Sequence, residues 1–134
     1  MRHQTALGRV KGLGSARSGS RQWVAQKVSA VVLAVLFLWF AFSFARLYGQ
    51  DFEAAIDWIS RPFNTVLAVT FVVTAFYHAI LGLQVVIEDY VSKTCVRIVV
   101  LNAMRVLLSI VCVAVVWAII RAAMLPSVLF SFLG

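Results

Sequence analysis

The stretch VSAVVLAVLFLWFAFSFA, residues 28–45, decides the fold of this chain. It contains no charged side chain, and with its flanking apolar residues it extends over about residues 24–48. About twenty such residues in an α-helix cross the ~30 Å hydrocarbon layer of a bilayer. Because backbone polar groups in that layer must find their partners within the segment, the stretch predicts a membrane-spanning helix.

Two further apolar runs have the same length and character. The second span is predicted over residues 62–87 and begins at Pro62, because proline suits the first turn of a helix. The third is predicted over residues 98–121, and Pro126 is predicted to end that helix. The sequence therefore predicts an all-α integral membrane protein with three transmembrane helices.

The remaining segments divide the chain into a single anchor domain with two tails. Residues 1–22 are basic and contain glycine and serine without an apolar period, which predicts a mostly extended tail. Residues 23–125 form the predicted three-helix anchor domain, and residues 126–134 form a short C-terminal tail. Between the first two spans, residues 49–61 alternate acidic and apolar side chains, which indicates a short interfacial helix or a loop.

The composition favours a membrane protein and excludes a nucleic-acid-binding one. Hydrophobic residues make up 63% of the chain and charged residues 13%, whereas soluble domains have about half and a quarter. The net charge of +7 is concentrated in the first stretch of chain and at helix ends. It forms no face interleaved with exposed aromatic residues, so we expect a lipid bilayer and no nucleic acid as a partner.

The basic residues also predict the orientation, because cytoplasmic loops carry an excess of lysine and arginine. The N-terminal tail and the second connection are basic, whereas the first connection carries three acids. We therefore predict a cytoplasmic N-terminus and, after three spans, a C-terminus outside. The residues are Arg2, Arg9, Lys11, Arg17, Arg21 and Lys27 in the tail, Asp51, Glu53 and Asp57 in the first connection, and Lys93 and Arg97 in the second.

His78 is the ionisable residue within the second predicted span, where a polar side chain is costly and usually marks a function. It lies about 13 Å along the helix from Ile87, the last residue of that run. Three interpretations are open: a neutral histidine bonded to a neighbouring helix, a metal or haem ligand, or a proton relay. Because His3 is the only other histidine, a haem with two imidazole ligands needs its second ligand from another polypeptide.

The spacing after His78 places Gly82 and Asp89 on the same helix face, because eleven residues come within about 20° of three full turns. Gly82 leaves room beside the imidazole for a flat macrocycle or for a closely packed helix. Asp89 and Tyr90 fall where hydrocarbon meets water. There a phenol could donate a hydrogen bond to a quinone carbonyl, and a carboxylate could relay or organise protons. The alternative for Tyr90 is an aromatic-belt residue.

The segment HAILGLQVVIEDY, residues 78–90, resembles the second-helix signature of the succinate dehydrogenase hydrophobic membrane anchor family, the D subunits of complex II. That signature is a histidine, a glycine four residues on, and Asp-Tyr eleven and twelve residues on. Residues 16–30, where Trp23 precedes Lys27 and a small hydroxyl residue, resemble the family's entry into its first helix. The resemblance covers about residues 14–123, and the predicted topology is also similar.

The resemblance implies roles for individual residues. His78 would be an axial ligand of haem b, paired with a histidine of the cytochrome b556 (C) subunit, and Gly82 would be a small residue facing the haem. Tyr90 would donate a hydrogen bond to a ubiquinone carbonyl, and Asp89 would support it.

The resemblance also implies contacts with the haem propionates. Lys27 stands where the family usually has arginine, so it keeps the positive charge and loses the bidentate fork. Arg21 and Arg17 are further candidates, and their alternative is a purely topological charge.

The implied function is that of a membrane-anchor subunit of succinate:ubiquinone oxidoreductase, in the tricarboxylic acid cycle and respiratory electron transport. The chain would carry no catalytic residue for succinate oxidation, because it has no Rossmann fingerprint and no cysteine cluster. That chemistry would belong to a flavoprotein subunit and an iron–sulfur subunit. The expected location is the bacterial inner membrane, with the mitochondrial inner membrane as the alternative. The alternative function is a non-redox transporter subunit or assembly factor, with His78 as a proton relay or packing residue.

Overall fold

Four α-helices make up the part of the chain that the computed structural model describes, which is the backbone of residues 17–133 and the side chains of residues 20–125. That part contains no β-strand. Three of the helices are long and apolar enough to cross a membrane. The all-α class and the three spans predicted from the sequence are therefore confirmed. The helices are α1 (Arg17–Leu47), α2 (Phe52–Ser60), α3 (Pro62–Tyr90) and α4 (Thr94–Leu133).

The beginning of α1 differs from the prediction. The extended conformation predicted for residues 17–22 is wrong, because the helix already begins at Arg17. Arginine and glutamine are good helix formers, and Arg21 and Gln22 lie in this first part. Each residue added to an existing helix gains a backbone hydrogen bond without the cost of a new nucleus, so the span extends into the basic tail.

The end of α4 also differs. The prediction that Pro126 ends the third helix is wrong, because α4 continues to Leu133. Pro126 has no N–H for the carbonyl of Ala122, so the helix loses one backbone hydrogen bond there. The residues after Pro126 still gain intrahelical hydrogen bonds, whereas an extended tail in an apolar environment would leave its backbone groups unpaired.

The central element of the bundle is α3, which packs against both α1 and α4. The first and third spans make no comparably extended contact in the described part of the chain. Phe40 of α1 stacks on Phe71 of α3 with ring centroids 5.4 Å apart. Ser29, earlier in α1, meets His78, later in α3, so the two helices run antiparallel.

The first connection contains the helix α2, which resolves the choice between a helix and a loop. Gly49 allows the turn before it, because its φ of +79° lies in the left-handed region that favours glycine. Trp58 of α2 stacks on Trp39 of α1 with centroids 5.5 Å apart. The Nδ2 atom of Asn64 donates a 2.7 Å hydrogen bond to the carbonyl of Trp58, and α2 also packs against α4. This short helix therefore ties the three spans together at one end.

The chain alone encloses almost no core. Among the described residues, the buried hydrophobic side chains are Leu36 and Ala68, and Ser29 is buried with 6% of its surface exposed. Large apolar side chains such as Val31, Phe42 and others along all three spans are exposed. So much exposed apolar surface requires lipid or other subunits around it.

Candidate functional site

The crossing of α1 and α3 brings together the polar groups of the candidate site. His78 lies half-buried in the middle of α3, and its Nδ1 atom is 2.9 Å from the Oγ atom of Ser29 on α1. The Ser29 hydroxyl also donates a 3.1 Å hydrogen bond to the carbonyl of Gln26, one turn earlier in its own helix. The hydrogen bond to a neighbouring helix, one of the three interpretations of His78, is therefore present.

A groove of about 370 Å³ opens beside His78 between α1 and α3. Three alanines, Ala30, Ala34 and Ala75, line it, together with larger apolar residues. Small side chains keep this surface shallow next to the imidazole. The described residues contain no group of three or more His, Cys, Asp or Glu side chains that could hold a metal ion by themselves.

Gly82 lies one turn after His78 and faces α1. A Cβ atom built on Gly82 would be 3.5 Å from the Nε2 atom of Gln26. Gly82 therefore packs against the end of a side chain of α1, so helix packing, the alternative considered for this glycine, has a contact in the structure. Its contact with a haem stays a prediction.

Asp89 and Tyr90 are the last two residues of α3, about 16 Å along the helix axis from His78. Both are exposed, and Tyr90 has 86% of its surface accessible. Neither side chain has a hydrogen bond or ion pair within the described part of the chain. A shallow groove of about 260 Å³ adjoins Tyr90, and Ser92 and Lys93 also line it. The phenol is thus free to donate to a ligand from outside.

The three propionate candidates lie at the start of α1. Lys27 is exposed, and its Nζ atom is 5.8 Å from the ring centroid of Trp23. It is two residues before Ser29, so the two side chains point to nearly opposite sides of the helix, about 200° apart. Arg21 is exposed at the edge of a second groove, on which Ser29 also borders. Arg17 begins α1, and its side chain is outside the described ones.

A second polar connection joins α3 to α4. Arg105 donates a 2.6 Å hydrogen bond from Nη2 to the Oε1 atom of Gln84. Gln84 in turn donates a 2.7 Å hydrogen bond from Nε2 to Glu88, next to Asp89. Arg105 is therefore bound to the central helix as well as being close to the predicted cytoplasmic edge.

Comparison with known proteins connects this geometry to a family. The sequence profile described as "Succinate dehydrogenase/Fumarate reductase transmembrane subunit" matches residues 1–121. The chain belongs to this family. It is similar to proteins named "Succinate dehydrogenase hydrophobic membrane anchor subunit" from Rickettsia conorii and Rickettsia bellii. The identities are 33% over 115 residues and 34% over 111 residues, which cover 85% and 83% of this chain and 88% and 89% of those proteins.

A further relative, the "Succinate dehydrogenase membrane anchor subunit" of Reclinomonas americana, is 33% identical over 94 residues. That match covers 68% of this chain and 78% of the relative. The family resemblance that residues 78–90 indicated is thus confirmed. The roles that this resemblance implies for single residues stay predictions.

Sequence reasoning missed the partner of His78 in this succinate dehydrogenase-family chain. Ser29 is a hydroxyl residue within an apolar span. It lies six residues after Trp23 at the predicted membrane edge, which places it about 9 Å from that edge along the helix. His78 is about 13 Å from the same predicted membrane edge. Matching the depths of polar residues in adjacent antiparallel spans is the signal that could have paired them.

Proposed function

We propose that this chain is a membrane-anchor subunit of a succinate:ubiquinone oxidoreductase, that His78 is an axial ligand of haem b, and that Tyr90 and Asp89 form part of the ubiquinone-reduction site. The family membership and the names of the Rickettsia relatives support the first part. The geometry around His78 and at the end of α3 supports the other two.

The anchoring role accounts for the exposed surface of the three spans. Apolar side chains that cover no core of their own suit a chain surrounded by lipid and by a second membrane subunit. In this proposal that subunit is the cytochrome b556 (C) subunit, and a flavoprotein subunit and an iron–sulfur subunit bind on the cytoplasmic side. The relatives in Rickettsia favour the bacterial inner membrane, and the mitochondrial inner membrane is the alternative.

A single observation carries the haem proposal: the imidazole of His78 has one ring nitrogen engaged and lies beside an open apolar groove in which alanines alternate with larger side chains. Nδ1 is bonded to Ser29, and the ring has no second hydrogen bond within the described part of the chain. A histidine that ligates a metal commonly uses one nitrogen for the metal and the other for a hydrogen bond. The shallow surface around Ala30, Ala34 and Ala75 leaves space for a flat group.

The residues present therefore fit one half of a haem site. When bound, haem b supplies reversible one-electron oxidation and reduction of its iron. A second imidazole ligand has to come from another chain, because His3 is the only other histidine here and it is far from His78 in sequence. We assign that ligand to the cytochrome b556 subunit. Lys27, Arg21 and Arg17 stay candidates for the propionates.

The quinone proposal rests on the exposed end of α3. The Tyr90 hydroxyl would donate a hydrogen bond to a ubiquinone carbonyl, which gains negative charge as the quinone is reduced. Asp89, beside it and equally free of partners within the described chain, would organise the protons that the reduction consumes. Both groups lie where a headgroup could meet water while the quinone tail stays in lipid.

The experiment that tests the haem assignment is a reduced-minus-oxidised absorption spectrum of the affinity-purified, detergent-solubilised complex. It compares wild type with His78→Ala and, as a matched control, with His3→Ala. We expect a b-type haem signal in wild type and in His3→Ala. In His78→Ala the signal should be lost or shifted while the subunits still copurify.

The contrary outcome is a colourless wild-type preparation that contains no flavoprotein. This result would exclude the redox function and favour the non-redox alternative, a transporter subunit or assembly factor. The Ser29–His78 hydrogen bond would then serve helix packing or a proton relay.

A further inference from the structure

Ser29 occupies an unusual place for a hydroxyl group. It is the buried polar residue of the described chain, with 6% of its surface exposed, and Gln26 lies one turn before it on the same helix face. Its Oγ atom has two neighbours at hydrogen-bond distance, the carbonyl of Gln26 at 3.1 Å and the Nδ1 atom of His78 at 2.9 Å. The second contact bridges two spans and joins residues that are 49 positions apart.

The direction of the contact between Ser29 and His78 depends on which neighbour accepts the single hydroxyl proton of Ser29. A serine hydroxyl has one proton, and a backbone carbonyl can only accept. The contact with Gln26 is therefore a hydrogen bond only if Ser29 uses its proton there. The Oγ atom then meets Nδ1 with a lone pair, so His78 has to donate from a protonated Nδ1. In a neutral imidazole this leaves the lone pair on Nε2.

We infer that Ser29 is a positioning residue that holds His78 in the Nδ1-protonated tautomer and fixes the plane of its ring, so that Nε2 can bind the haem iron. This inference rests on the proposed function, because it takes His78 as the axial ligand. Ser29 itself touches neither the haem iron nor the quinone. It acts through the imidazole, as the hydrogen-bond partners of metal-bound histidines commonly do.

The hydrogen bond has two measurable consequences. It orients the ring before the haem binds, and loss of such a partner typically weakens metal binding by about 10–100-fold. It would also make the imidazole a stronger electron donor to a bound metal, which would favour the oxidised iron over the reduced iron. Removal of the Ser29 hydroxyl should therefore raise the midpoint potential of the haem.

The test uses the purified complex with Ser29→Ala, Ser29→Thr and Ser43→Ala. Ser43→Ala makes the same chemical change in α1, about 21 Å further along the helix. The measurements are haem content per complex, haem affinity after partial extraction, and the midpoint potential from a spectroscopic redox titration. We expect Ser29→Ala to bind haem about 10–100-fold more weakly and to have a raised potential. Ser29→Thr, which keeps a hydroxyl, and Ser43→Ala should resemble wild type.

A second measurement does not depend on assembly of the variants. The 134-residue chain, labelled with ¹⁵N-histidine in lipid bilayers without haem, has two histidines, and His3→Ala assigns the signals. In spectra recorded at a pH at which the ring is neutral, we expect the His78 signals to show the proton on Nδ1. A ring protonated on Nε2 instead would overturn the inference, whether or not the Ser29→Ala complex assembles.

The outcomes separate this inference from the function it rests on. A wild-type complex without haem would overturn the haem assignment and the role of Ser29 together. A wild-type complex with haem whose affinity and potential are unchanged in Ser29→Ala would overturn the role of Ser29 alone and leave the haem assignment intact.

Discussion

Gly82 of α3 lies against Gln26 of α1, so that a Cβ atom on the glycine would be 3.5 Å from the glutamine Nε2 atom. The same Gln26 accepts the hydrogen bond of Ser29 through its backbone carbonyl. Position 82 therefore faces a side chain of α1 one turn away from His78. We expect a large side chain at position 82 to displace Gln26 and, through α1, to disturb the hydrogen bond between Ser29 and His78.

Small and large side chains at position 82 should have opposite effects on the stability of the chain. A distance of 3.5 Å is an ordinary contact, so Gly82→Ala should fit and gain about 0.5–1 kcal/mol, because glycine weakens a helix interior. Gly82→Leu should overpack the crossing and cost about 1–3 kcal/mol. The free energy of unfolding, measured by titration of the chain in micelles with a denaturing detergent, checks both values.

The haem spectrum of Gly82→Ala distinguishes the two roles considered for this glycine. An unchanged b-type band would favour helix packing as its role. A shifted band with normal stability would support the predicted contact with the haem. If Gly82→Ala unfolds as easily as Gly82→Leu, the space for a methyl group between position 82 and Gln26 is wrong.

Tyr90→Phe should lower the rate of ubiquinone reduction by the intact complex about 10–100-fold. The substitution removes a hydrogen bond to a quinone oxygen that becomes charged, and such a bond contributes about 1.5–3 kcal/mol. Assembly should not change, because the side chain is 86% exposed and the hydroxyl has no partner within the described chain. The assay follows succinate-dependent reduction of a ubiquinone analogue.

Tyr48→Phe is the matched control for this measurement. Tyr48 is 81% exposed and lies just after the end of α1, at the opposite end of the bundle from Tyr90. Its substitution should leave quinone reduction unchanged. Equal rates of quinone reduction in wild type and Tyr90→Phe would contradict the role of Tyr90 as a donor and would favour the alternative, an aromatic-belt residue.

Much of the fold follows from composition and length, because three apolar runs of about 25 residues have few alternatives to spanning a bilayer. The start of α3 at Pro62 is predictable for a local reason, the preference of proline for the first helical turn. The end of α4 is not. The continuation through Pro126 depends on the cost of unpaired backbone groups in an apolar environment, which outweighs the local preference of proline.

Some residues of the candidate site can likewise be predicted from the sequence, and others cannot. His78 can be found from the sequence, since an ionisable residue inside an apolar span is rare. Its partner Ser29 is harder to find, because serine is common in membrane helices, and similar depths narrow the choice of partner without fixing the register between α1 and α3. The pairing of Arg105 with Gln84 was missed for the same reason.

The hydrogen bond from Arg105 to Gln84 should couple α3 to α4 by about 0.6 kcal/mol, the average for polar pairs between membrane helices. A double-mutant cycle with Arg105→Ala and Gln84→Ala, followed by unfolding in micelles, isolates this term. Arg121→Ala combined with Gln84→Ala is the control. It should be additive, because Arg121 lies about 24 Å further along α4 than Arg105. Additive behaviour of Arg105 and Gln84 would contradict the contact.

The orientation of the chain can be tested with its own cysteines. Cys95 is exposed in the first turn of α4, directly after the connection that is predicted to be cytoplasmic. Cys112 lies half-buried in the middle of the same helix and should react slowly from either side. A membrane-impermeant maleimide should therefore label Cys95 in inside-out vesicles of the host's inner membrane and not in right-side-out ones. Cys95→Ser should abolish the labelling.

Labelling of Cys95 from the outside would contradict the predicted orientation. Tyr90 would then lie on the wrong side of the membrane for the proposed complex. The basic N-terminal tail would also lie outside, against the positive-inside rule.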